Sequence, residues 1–252
     1  MTLSRKGHVA FQAVGWLIAF LPSGCGTLFP ILAPEGALVR ISIEGRFVNM
    51  ISHDLYREWA DSGFGDPSAL RKVTRQYYEF FRDDAEILIV TSPSPALGGV
   101  TLRIFNNVEG VGIGPIDRRS EFGADNTLSQ IITLYGRNEL TVRTVIHELA
   151  HRWANGLEGD IALASGPGVS SGHWGFSDVH GQLGGWRPGT LETLGGGLFR
   201  GVVAPNGFSL TSVQYAPLEL YLMGLAPAAE VPDVTVAVDP VITSSDFDTT
   251  TF

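Results

Sequence analysis

Fifteen of the 52 residues from Gly156 to Gly207 are glycine, and neither a helical nor a strand period runs through them. Glycine loses more conformational freedom on folding than any other residue, so long regular elements cannot be sustained across such a stretch. The sequence therefore predicts a loop-dominated region here, and connections of this length are characteristically functional or disordered. Its aromatic residues Trp174, Phe176, Trp186 and Phe199 favour order.

The residues before it are patterned. Residues 36–45 alternate Leu38, Arg40 and Ser42 with Val39, Ile41 and Ile43, the period-two signature of a half-buried strand. Two helices are expected next. In the second, Asp66 can act as N-cap, Pro67 suits the first helical position, and Leu70, Val73, Tyr77, Phe80 and Phe81 recur at helical spacing. Short apolar runs at Ala85–Thr91, Val100–Asn106, Gly110–Ile116 and Gln130–Tyr135 complete a sheet of about five strands. After the glycine-rich stretch, a short helix is expected from Pro217 to Met223, stopped by Gly224, and strand and loop beyond it. The fold class is α+β, in two parts: residues 26–156 as a scaffold subdomain, and residues 157–252 as a loop-rich subdomain that completes a site.

Composition narrows the function classes. The chain has 252 residues, 17 Lys and Arg against 26 Asp and Glu, and a net charge of −9. Its only lysines are Lys6 and Lys72, so neither a phosphate-binding face nor a polybasic membrane patch can be assembled, and no nucleic-acid partner is expected. A single cysteine, Cys25, excludes an internal disulfide framework and any cysteine-based zinc ribbon.

Residues 1–25 have the layout of an export signal. Arg5 and Lys6 precede a 13-residue apolar run, Val9–Leu21, and small residues follow from Pro22. The run falls short of the roughly 18–20 apolar residues that span a membrane, so no transmembrane segment is expected in the mature chain. Its alternative is a buried N-terminal helix. Cys25 could carry a lipoprotein anchor, but Pro22 stands where a leucine would be expected three residues earlier. A secreted or cell-surface location follows from this reading.

The specific motif is His147-Glu148-Leu149-Ala150-His151, an HExxH, within a segment that reads as a helix from Asn138 to Gly156. Asn138 is a good N-cap, and Val142, Val145, Ile146, Leu149 and Trp153 form an apolar stripe. Histidines four apart leave one helix face about a turn apart, which lets both imidazoles reach a single Zn²⁺. Glu148, beside the first, is placed to take a proton from an activated water and pass it to a leaving amine.

A catalytic zinc site takes three protein ligands. Downstream candidates for the third are Glu158, Asp160, His173, Asp178, His180, Glu192 and Glu219. A metzincin continues HExxHxxGxxH, but Ala154 and Leu157 occupy those positions here, and the zone where a thermolysin-like enzyme places its glutamate holds Ser170, Ser171 and Gly172. Ser171-Gly172-His173-Trp174 resembles the stretch carrying the third zinc histidine of leishmanolysin-like metallopeptidases, in which an insertion separates it from HExxH. That family follows it with a methionine turn, where this chain has Gly181-Gln182-Leu183-Gly184-Gly185. The resemblance implies His173 as third ligand. Glu219 is the alternative, either as ligand or as a carboxylate orienting His147 or His151 through the other ring nitrogen. Tyr221 could donate to a developing oxyanion, and zincin resemblance suggests Gly110–Ile116 or Gln130–Tyr135 as the strand that pairs with substrate. Gly110-Val111-Gly112-Ile113-Gly114 lacks the context of a phosphate loop.

The expectation is thus an exported zinc metallopeptidase of the zincin type, with a mixed, mostly antiparallel sheet packed on the HExxH helix, acting on protein or peptide substrates. Two rivals accompany it: an exported or surface-tethered binding protein with a closed structural zinc site, and a zinc hydrolase of non-peptide amides or esters.

Overall fold

A computed structural model of the chain describes residues 47–108, 114–140, 144–154, 172–202 and 214–237, together with the strand segments 16–18, 29–32, 38–44, 244–245 and 249–251. The expected lipidation site Cys25, most of the leader, and the ligand candidates Glu158 and Asp160 lie outside the described residues. The fold is α+β with a mixed sheet. It divides into two compact units, residues 1–107 with 115–141, and residues 108–114 with 142–252. The division falls before the HExxH helix rather than after it, so that helix belongs with the glycine-rich half.

The first unit holds β1 (Trp16–Ile18), β2 (Phe29–Leu32), β3 (Leu38–Glu44), β4 (Phe47–Ile51), α1 (His53–Asp61), α2 (Pro67–Tyr78), β5 (Ile87–Thr91), β6 (Gly99–Arg103), the short strands β7 (Phe105–Asn106) and β8 (Ile116–Asp117), and β9 (Gln130–Leu134). Seven of these strands form one sheet in the order β2-β3-β4-β1-β5-β9-β6. Only β5 and β9 run parallel, Ile87 facing Gln130 and Thr91 facing Leu134. All five residues of β9 are buried, as expected of a strand flanked on both sides. Gln130–Tyr135 was a candidate to pair with substrate, but β5 and β6 already take both of its edges. Of the other candidate strand, residues 109–113 lie outside the described residues, and Ile116 pairs with Asn106.

Helix α2 starts as its sequence dictates. The Asp66 carboxylate accepts the Ser68 N–H at 2.8 Å, and Pro67, which has no N–H to leave unpaired, opens the first turn. Leu70, Val73 and Tyr77 are buried with Trp59 of α1, Leu88 and Val90 of β5 and Ile131 of β9. Burying such a side chain contributes about 1.5–3 kcal/mol relative to leaving it in water. The entry into β9 is organised by one buried carboxylate. Asp83 accepts the backbone N–H groups of Asp125, Asn126, Thr127 and Leu128 at 2.6–3.1 Å.

In the second unit lie α3 (Thr144–Ala154), β10 (Glu192–Gly195), β11 (Leu198–Val202), α4 (Pro217–Leu222), β12 (Ser244–Ser245) and β13 (Thr249–Thr251). The four strands form an antiparallel sheet in the order β10-β11-β13-β12. Ala150 and Ala154 of α3 pack with Trp174, Val179, Leu183, Ala216 and Leu218 in a buried apolar cluster, against which Met223 also lies.

Candidate metal centre

Helix α3 is shorter than its sequence suggests, because Asn138 sits in a 3-10 turn, Arg137–Leu140, ahead of it. Its buried face also differs from the expected apolar stripe. Thr144, His147, Glu148, Ala150, His151 and Ala154 are buried, while Ile146 is exposed and Leu149 and Trp153 are half-buried. Small alanines let the α3 backbone approach its neighbours closely, and the polar motif goes inside with them. A helix whose inner face carries the chemistry cannot be oriented from its apolar residues alone.

The structure brings His147, His151 and His173 together. The Nε2 atoms of His151 and His173 each lie 3.2 Å from the Nε2 of His147, and the three ring centroids are 4.9–5.1 Å apart. One nitrogen from each ring falls within 4.8 Å of the others, so the three residues could hold a metal ion. The spacing fits the chemistry: ligands about 2.0–2.1 Å from a tetrahedral zinc stand about 3.3–3.4 Å from one another. All three side chains are buried.

His147 is fixed from behind. Its Nδ1 lies 2.7 Å from the carbonyl oxygen of Gln182. A carbonyl can only accept, so Nδ1 carries the proton and Nε2 presents its lone pair to the cluster. Burial, reinforced by the neighbouring His173, pushes the His147 imidazole down to about 4, which keeps it neutral and able to coordinate. Glu148 is buried as well, and desolvation pushes its carboxyl up to about 8.

Glu219 does not join the cluster. Its Oε1 accepts Trp174 Nε1–H at 2.8 Å and Leu183 N–H at 2.9 Å, and its Oε2 accepts Gln182 N–H at 3.0 Å and Ala216 N–H at 2.8 Å. Burial raises the Glu219 carboxyl while these four donors oppose the shift. With both oxygens occupied, its lone pairs are directed at protein donors and not at the histidines.

The remaining candidates have other surroundings. The Asp178 carboxylate accepts the Thr235 N–H at 2.8 Å. Glu192 is exposed on β10, 3.6 Å from Arg200. His180 is half-buried with a left-handed backbone, φ 51°, and burial lowers its pKa. Tyr221 is 44% exposed on α4. The tyrosine that reaches the histidine helix is Tyr215, whose hydroxyl donates to the Ile146 carbonyl at 2.7 Å. Sequence reasoning passed over Tyr215 and the Gln182 carbonyl; a backbone oxygen leaves no trace in residue type, and Tyr215 lies 69 positions from the Ile146 it touches, just before α4.

Models of known protein families, curated protein sequences and solved structures contain no match to this chain.

Proposed function

We propose that the chain is a zinc-dependent metallopeptidase of the zincin type, resembling leishmanolysin-like enzymes in the order of its ligands. The observation that supports this best is the spacing of the three Nε2 atoms beside a buried glutamate of the same helix. A zinc ion held by His147, His151 and His173 supplies Lewis-acid activation of water and of a scissile carbonyl. Around that chemistry, Glu148 accepts a proton from the attacking water and delivers it to the departing amine.

A closed structural site would need a fourth protein ligand. The carboxylate expected to provide it, Glu219, is held by four other donors, which favours the catalytic reading. Substituting Glu148→Gln tests the proposal directly. Zinc content should stay at one ion per chain while turnover of fluorescent casein falls by about 10²–10⁴-fold or more; full activity in that variant rejects the mechanism. A panel of small amides and esters, run beside casein, separates a peptidase from a hydrolase of other substrates.

Export is part of the same proposal and rests on residues 1–25. Cleavage after them would also remove Trp16–Ile18, the strand that pairs with both β4 and β5. These two uses of one segment are exclusive, and the intact mass of the exported chain decides between them.

A further inference from the structure

We propose that Glu219 is a positioning residue for the metal centre, setting the tautomer and orientation of His147 through the backbone of the Gly181–Gly184 turn. The inference rests on the reading of the three histidines as a metal site. Glu219 is 1% exposed, and its four donors come from three separate places in the chain. Trp174 follows His173 directly. Gln182 and Leu183 form the turn, and Ala216 is the N-cap of α4.

The turn closes on itself through paired hydrogen bonds between Gly181 and Gly184 of 2.9 and 3.1 Å. Trp174 N–H also donates to the Leu183 carbonyl at 2.8 Å, which ties the His173 segment to the same turn. The opposite face of the Gln182 peptide region is thereby set. Its N–H points at Glu219, and its carbonyl receives the Nδ1 proton of His147. One carboxylate thus anchors the backbone beside two of the three histidines.

Glycine at 181 is a condition of this arrangement. A Cβ there would lie 2.3 Å from Glu219 Oε2 and 2.4 Å from its Cδ, far inside van der Waals contact. Gly181→Ala therefore displaces the carboxylate without changing its chemistry. Glu219→Gln disturbs it differently: an amide keeps one acceptor oxygen and turns an NH₂ toward two N–H donors. Partners that hold metal-ligating histidines typically change metal affinity by about 10–100-fold when removed.

The test uses the full-length chain with Zn²⁺ as the probe. Affinity is read by competition with a chromophoric chelator, and the His147 tautomer by long-range ¹H–¹⁵N correlation on the metal-free protein, with near-UV circular dichroism reporting the fold. Wild type should show the Nδ1–H tautomer, and E219Q and G181A should each bind Zn²⁺ about 10–100-fold more weakly with His147 in mixed tautomers. Wild-type affinity and tautomer in both variants overturn the proposal, as does an Nε2–H tautomer in the wild type, a result that needs no variant to fold. Absence of zinc binding in wild type together with a tautomer change in E219Q rejects the metal-centre reading and upholds the positioning role.

Discussion

His147 donates its Nδ1 proton to the Gln182 carbonyl at 2.7 Å, across 35 positions of sequence. That bond leaves the Nε2 lone pair facing His151 and His173, and it makes a helix histidine part of a preformed centre. Metal-ligating histidines elsewhere use their second nitrogen in the same way.

Metal binding should stabilise the fold measurably. At a free zinc concentration of about 100 times the dissociation constant, stability rises by about 2.7 kcal/mol, seen as a higher urea midpoint. His173→Ala should remove most of that increment while leaving the metal-free protein folded. If the variant instead fails to fold and the wild type unfolds with chelator, the zinc is structural.

Stability of the metal-free protein should depend on pH with a definite sign. Glu148 is raised from 4.5 to about 8, so its contribution is complete below pH 4.5 and is lost as pH climbs to 8. His147 is lowered from 6.5 to about 4, so its contribution is present above pH 6.5 and is lost on acidification toward 4. Glu219, also raised, acts in the direction of Glu148. Between pH 6.5 and 8 the His147 contribution is already complete while that of Glu148 is being lost, and the urea midpoint should fall across that window. Glu148→Gln should flatten the decline, and a midpoint that rises there in the wild type contradicts the assignment.

Gly185→Ala should destabilise the second unit by at least about 1 kcal/mol. Its φ is +91°, and an added Cβ would lie 2.7 Å from the backbone nitrogen of His180 and 2.8 Å from the Ser177 carbonyl oxygen. Equilibrium urea unfolding checks this, with Gly189→Ala as the comparison: its φ is also positive, but the space around it is open.

Asp83→Ala should cost at least about 1 kcal/mol, because four backbone N–H groups at the entry to β9, that of buried Leu128 among them, lose a common acceptor. Zinc affinity should be unchanged, since Asp83 and the histidines belong to different units. A loss of affinity equal to the loss of stability would contradict that separation.

Much of the architecture was legible in residue order. The Asp66-Pro67 start of α2, the strands at residues 38–44 and 87–91 and the short helix after Ala216 all follow from local chemistry. Less legible was the environment of each element. The alternation that marks a strand does not say whether its edges are free, and β9 proved to be paired on both sides. The apolar stripe of the HExxH segment named a face that is largely not the buried one, because the inner surface of α3 is made of alanine and the motif itself.

By itself the sequence determined that two histidines and a glutamate share one helix and that no site can be built from several cysteines; it placed loops throughout residues 156–207, where the structure has the paired strands β10 and β11. Spacing on a helix is a local property, and so it survives into the fold. Tertiary structure alone decided that His173 and not Glu219 meets the helix histidines, and that Glu219 is spent on the turn behind them. That choice depends on which side chain finds its hydrogen-bonding capacity already filled: a carboxylate surrounded by four N–H donors stays where it is satisfied, and the imidazole carried beside it closes the cluster.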